Sequence, residues 1–232
     1  MQKFDTPAPI STVLDIPAGH IRFIAADRDN TTVEILPADA SKSRDVKAAE
    51  ETTATYDGGV LRIEAAPAKN RILGSSGSVE ITVQLPAGSH VEAKTASAEL
   101  RGVGRLGDVT FEGAQATVKI DEAASARLTL MAGDVSLGRL GGDAQISTQK
   151  GDLHIASTQK GDLHIAEAVR GTVTLRTEAG EITVVAARGV SASLDAGTTY
   201  GRVHNSLQNA GGTPGLNIHA STSYGNITAR SL

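Results

Sequence analysis

The sequence predicts an all-β protein, a single-chain β-solenoid with about two short strands per coil. Three observations predict it. A Gly-led strand start recurs at Gly107, Gly133, Gly151, Gly161, Gly180, Gly201 and Gly225, at spacings of 26, 18, 10, 19, 21 and 24 residues. With the 10 set aside, a period of 18–26 residues falls within the range of stacked repeats. Between successive starts sits a second apolar alternation, such as Val118/Ile120, Leu128/Leu130, Val173/Leu175 or Ala192/Leu194. Composition agrees: 25 glycines supply corners, and aromatics at only 3% leave Val, Ile, Leu and Ala to fill thin stacked layers. A β-sandwich, with strands every 8–12 residues or so, is the alternative. The regular return of one strand start favours the coil over Greek-key wiring.

In chain order, Ser11–Ile16, Ile21–Ala25 and Thr32–Leu36 read as strands, separated by Pro17-Ala18-Gly19 and by Asp27-Arg28-Asp29-Asn30. Ser41–Thr52 is the only segment suited to a helix, one to three turns long, with Val46, Ala48 and Ala49 as its apolar contacts. Thr53–Tyr56 and Val60–Glu64 flank Asp57-Gly58-Gly59, a hairpin signal because glycine supplies positive φ. Gly74-Ser75-Ser76-Gly77 reads as a connection between an N-terminal β region (1–73) and the repeats (78–232), the two expected to form one structural domain. Ser78–Leu85 then alternates, with Val79, Ile81, Val83 and Leu85 on one face. Gln84-Leu85-Pro86-Ala87-Gly88 echoes Asp15-Ile16-Pro17-Ala18-Gly19, and Thr199-Tyr200-Gly201 echoes Ser223-Tyr224-Gly225. The chain ends at Leu232 just after a strand, so an open sheet edge is expected there.

Ser147–Ala166 writes STQKGDLHIA twice without a substitution, a recent duplication or a deliberate insertion. Ten residues are half a coil, so an added copy would shift every later strand onto the wrong predecessor. Three outcomes are open: one copy loops out, the copies compete for one slot, or the spare strand pairs with another molecule. The duplicated strand element comprises Gly151, Asp152, Leu153, His154 and Ile155, repeated as Gly161, Asp162, Leu163, His164 and Ile165.

The formal net charge of −4 gives no electrostatic footprint for nucleic acid or anionic membrane. With no cysteine, disulfides, thiolate catalysis and Cys-ligated metals are excluded together. The opening residues lack an apolar leader and no run reaches membrane-spanning length, so a cytoplasmic location is expected. Gly102-Val103-Gly104-Arg105-Leu106-Gly107 spells a dinucleotide motif, but a strand comes next where the chemistry needs a helix N-terminus. His154 and His164 would form an imidazole ladder only if both copies stacked in register; exposed polar positions are the simpler reading. Asp108, Asp134, Asp152 and Asp162 read as turn acceptors bonding their own backbone. No Gly-x-Ser-x-Gly elbow, His-Glu-x-x-His or P-loop occurs.

The Gly-Asp-Val/Leu strand starts, Thr172–Leu175 with Gly180–Val184, and the closing Ser221–Thr228 resemble the bacterial toast-rack or adhesin-like β-strand-repeat family, a domain of unknown function. Pro7–Ala26 resembles the opening of members without a leader. The resemblance implies a repetitive right-handed β architecture and no catalytic residues. The expected function is a non-enzymatic scaffold that binds an unknown protein partner or itself, as an edge-paired homodimer, through its flank or open strand edge. No cofactor, metal, nucleic acid or membrane is expected. The alternative is a carbohydrate-binding or carbohydrate-active β-helix using Asp108, Asp134 and Glu181.

Overall fold

The computed structural model describes residues 1–66, 77–148, 162–209 and 213–232. Its strands are β1 (Gln2–Asp5), β2 (Ser11–Ala26), β3 (Asn30–Pro37), β4 (Thr53–Asp57), β5 (Val60–Glu64), β6 (Val79–Pro86), β7 (His90–Ala132), β8 (Val135–Leu140) and β9 (Ala144–Thr148). They continue with β10 (Leu163–Ala168), β11 (Gly171–Ala179), β12 (Ile182–Ala186), β13 (Ala192–Tyr200), β14 (Val203–Ser206), β15 (Leu216–Tyr224) and β16 (Ile227–Ser231); α1 spans Ser43–Glu51. All sixteen strands join one sheet that folds over on itself as a β-solenoid. One face runs β4–β5–β2–β7–β9–β11–β15–β13, the other β1–β3–β6–β2–β7–β8–β10–β12–β16–β14. From β2 onward every pairing along the stack is parallel, which rules out the antiparallel sandwich. Among the described residues antiparallel pairs occur only at the N-terminal end, as β1/β3/β6 and the hairpin β4/β5.

The core is a set of columns in which equivalent side chains of successive coils touch. On one face Val118, Val135, Leu163, Ile182 and Ile227 are in register and essentially inaccessible to water, and the next column is Ile120, Leu137, Ile165, Val184 and Ala229. On the opposite face Ala126, Ala144, Val173 and Ile218 align, beside Leu128, Ile146, Leu175 and Ala220. Small and β-branched residues suit this role because each layer is only about 4.8 Å thick. Phe23 and Phe111, both fully buried, are among the largest side chains of the core.

The Pro17-Ala18-Gly19 separator does not end a strand. β2 runs through it, turning from one face to the other while keeping its ladder with β7. Gly19 permits the corner, since a Cβ there would lie 2.3 Å from the Val79 carbonyl oxygen. The helix is shorter than the segment that predicted it. It is anchored by a residue outside the apolar set: buried Asp45 accepts a hydrogen bond from the Ser78 N–H at 2.9 Å. Just before it, the Ser41 hydroxyl and then Lys42 hold the Asp39 carboxyl well below the usual carboxylate range. The hairpin is as predicted, with Gly58 and Gly59 at φ of 55° and 84°.

The second decapeptide copy supplies β10: Leu163 and Ile165 enter the core columns between β8 and β12, with Asp162 at the preceding corner. Gly151, Asp152, Leu153, His154, Ile155 and Gly161 lie outside the described residues. Fourteen residues separate Thr148 from Leu163, whereas four separate their ladder partners Leu130 and Val135 one coil earlier. The excess equals the decapeptide, and β12 onward keeps the core columns aligned.

The expected open edge at Leu232 is not there. β16 lies between β12 and β14, and β15 between β11 and β13, so the last coil in sequence is inserted between the two coils before it. The outermost coil is β13–β14. Its side chains explain the inversion. Leu216, Ile218 and Ile227 of the inserted coil are buried on both sides, while β14 places polar Asn205 next to Ala229 in a core column. Sequential order would bury that amide against Val184 as well, at a cost of about 1–3 kcal/mol.

Candidate binding surface at the uncovered end of the solenoid

The corners that open each strand form a ladder of side-chain acceptors. Asp134 Oδ1 accepts the N–H of Asp162 at 3.1 Å, and Asp162 Oδ1 accepts that of Glu181 at 2.8 Å. Glu181 Oε1 accepts from the Asn226 side-chain amide at 3.1 Å, and Asn226 Oδ1 accepts the N–H of Arg202 at 3.0 Å. Asp143 does the same for Thr172 on the other face, at 2.7 Å. Asp134, Asp162 and Asp143 therefore bond the backbone of the neighbouring coil, and Glu181 a side chain there, not their own turn as the spacing suggested. Isolated turns cannot distinguish the two readings; only stacking brings the next N–H within reach. Replacing Asp162 by alanine is expected to cost about 0.5–1.5 kcal/mol and by asparagine almost nothing, because the acceptor matters and the charge does not. Thermal or denaturant melts of the two variants check this; equal losses would contradict it.

Asp108, Asp134 and Glu181, the carbohydrate candidates, are spent in this way or on neighbours: Asp108 Oδ1 accepts from the Ser125 hydroxyl at 2.6 Å. Asp108 also faces His90 at 3.3 Å, as Glu99 faces His20 and Asp195 faces His219, each at 3.4 Å. These are exposed pairs between adjacent coils. His164 stands between Ser136 and Thr183, so neither sheet neighbour extends an imidazole ladder. Among the described residues no three His, Cys, Asp or Glu side chains gather as metal ligands. The Gly102–Gly107 segment is strand throughout, with Gly104 packed so closely that a Cβ would sit 2.1 Å from the Ala25 oxygen. A cleft of about 760 Å³ beside α1 is lined by Asp15, Glu51, Glu64, Lys94 and Thr95, charges of both signs.

The surface that stands out is the outermost coil. Among the described residues β13 pairs only with β15 and β14 only with β16, so each presents a free edge. The apolar columns run out into this end: Leu194 and Ala196 are half-buried, and Val203, in register with Ile227, is 44% exposed. Tyr200 stacks on Tyr224 of the inner coil, ring centroids 4.9 Å apart and planes 7° from parallel, with exposures of 63% and 59%. The Leu207–Asn209 turn covers one corner, Gln208 accepting from the Ala192 N–H and donating to Ser231. Sequence reasoning named none of these residues as a site. The signal present was the repeated Thr/Ser-Tyr-Gly corner, which places one tyrosine directly over the other.

The family profile for Toastrack DUF4097 matches residues 13–231. The chain belongs to the Toastrack DUF4097 family. Solved structures similar to this Toastrack chain include a candidate adhesin from Bacteroides fragilis, 14% identical, covering 98% of this chain and 95% of that one at a TM-score of 0.45. A candidate lipid-binding protein from Parabacteroides distasonis is 12% identical over 98% and 95%, also at 0.45. A candidate cell adhesion protein from Clostridium sporogenes is 14% identical over 100% and 98%, at 0.34. No curated protein matches the sequence. No helix among the described residues of the Toastrack chain is long and apolar enough to cross a membrane.

Proposed function

We propose that this Toastrack chain is a non-enzymatic scaffold that acts by presenting its outermost coil to a protein partner. One observation carries the reading: among the described residues two strands, β13 and β14, have unpaired edges at the same end, where apolar columns and a tyrosine stack also reach the surface. An exposed edge binds another strand through main-chain hydrogen bonds, and alternate side chains add selectivity. Tyrosine is enriched in such contacts because one ring offers apolar area and a polar tip. The rest of the solenoid supports this end through parallel ladders that run along both faces of the stack.

A photo-crosslinking side chain at His204, on β14, is expected to give a protein adduct in the native host, whereas one at Lys119, on the exposed flank of β7, gives none. Adducts formed only from Lys119 would move the binding surface to the flank.

A further inference from the structure

We infer that the partner of the outermost coil is a second copy of this chain, joined end to end across a two-fold axis by antiparallel pairing of the free β13 and β14 edges. This rests on reading that end as the binding surface, and deepens it by naming the occupant.

The two ends of the solenoid are built differently. At the N-terminal end the parallel stack is closed by antiparallel β1/β3 and β4/β5. That edge also carries devices that prevent strand addition: Lys3 and Asp5 on β1, followed by Pro7 and Pro9. The other end is guarded less. β13 (ASLDAGTTY) holds one charged residue, Asp195, and β14 (VHNS) holds only His204, with no lysine or proline in either. A head-to-tail filament would mate the bare end with the guarded one, whereas two bare ends match each other.

The corner ladder makes the same distinction. Successive corners offer a side-chain acceptor outward: Asp134 to the Asp162 N–H, Asp162 to the Glu181 N–H, Glu181 to the Asn226 side-chain amide, and Asn226 to the Arg202 N–H. The outermost coil has Arg202 at this position, a donor with no acceptor capacity. A further coil stacked in parallel would find no acceptor there, while an antiparallel neighbour does not need one. A two-fold axis perpendicular to the stack makes every strand meet its mate antiparallel. Self-pairing is also free of charge conflict: Asp195 meets Asp195 only in the one register centred on that residue.

The end is large enough for a small specific interface. Nine residues of β13 span about 30 Å, and two sheets about 10 Å apart with their outer side chains give a width of about 20 Å. About 600 Å² per partner lies at the small end of specific interfaces, the size range of weak, reversible association.

Gly197 gives a clean variant. It lies on β13 with no atom within 4 Å of where a Cβ would be, so Gly197→Lys puts a charge on the edge without touching the core. Sedimentation equilibrium of the purified full chain from about 1 μM to about 500 μM is the experiment. The wild type is expected to pass from 23.8 kDa to twice that mass. Gly197→Lys and Val203→Lys are expected to raise Kd at least about tenfold with unchanged circular dichroism. Lys3→Glu, at the guarded end, should dimerise like the wild type. A wild type that stays at 23.8 kDa throughout overturns the proposal, as does a dimer that persists in both edge variants. Mass growing beyond two copies overturns the two-fold arrangement in favour of filaments. A monomeric wild type whose His204 crosslinker still captures a different protein overturns self-association alone and leaves the proposed binding end standing.

Discussion

Replacing Gly225 by alanine is expected to destabilise the protein by about 2–4 kcal/mol, among the largest effects a single methyl group can have here. Gly225 has φ of 149°, a conformation that a Cβ strains, and its place in the stack leaves no room. A Cβ there would lie 1.9 Å from the Gly180 carbonyl oxygen, and one on Gly201 would lie 1.9 Å from the Gly225 oxygen. Three corner glycines of adjacent coils therefore pile up backbone on backbone, and none can retreat without breaking the ladders on both faces. Urea unfolding should show a lower midpoint with an unchanged slope. Gly197→Ala is the control: with open space at its Cβ position it is expected to be neutral or slightly stabilising. A Gly225→Ala protein within about 0.5 kcal/mol of wild type would mean that the corner can relax, and the close-stacking account would fall.

The second large effect concerns Ile165, fully buried in β10 between Leu137 and Val184. In a chain lacking one decapeptide, Ile165→Ala is expected to cost about 2–5 kcal/mol, as for any large-to-small change in a packed column. Removing either copy yields the same sequence and shortens the Thr148-to-Leu163 connection from fourteen residues to four. That deletion alone should leave the fold intact and stabilise it by about 1 kcal/mol through loop closure. In the full chain the Ile165→Ala penalty is expected to be smaller by about 1–2 kcal/mol. The first copy carries the same Gly-Asp-Leu-His-Ile-Ala and can occupy the slot instead. The residues just beyond each copy limit the exchange. Thr158 would replace Ala168, which is buried between Leu140 and Ala186, and bring a hydroxyl into the core. Denaturant melts of Ile165→Ala in both chains decide the matter. Equal penalties would show that the first copy never takes the slot.

Much of the architecture was legible because the solenoid is nearly one-dimensional: each coil must satisfy the same local conditions, so its rules repeat along the chain. Val79/Ile81/Val83, Val173/Leu175 and Ile182/Val184 announced their inward faces by alternation alone, and all are buried. The Gly-led start marked the corners, with an acidic residue after Gly133, Gly161 and Gly180. Its physical meaning stayed hidden, because whether Asp162 bonds its own turn or Glu181 of the next coil depends on a residue nineteen positions away. Pro17-Ala18-Gly19 misled for a related reason. A turn signature reports a change of direction, and a solenoid corner changes direction without interrupting the ladder.

The candidate surface was least legible. Sequence order placed the free edge at Leu232, but order along the chain and order in the stack are independent once a connection is long enough to step over a coil. Local spacing and composition were enough to set the strand periodicity, the corner glycines, the apolar columns and the absence of thiol chemistry. The slip of β15–β16 inside β13–β14 was set by packing between coils. That choice compares two whole stackings, one burying Asn205 and exposing Ile218 and Ile227, the other the reverse. The difference lies in contacts from coil to coil, which no single repeat contains.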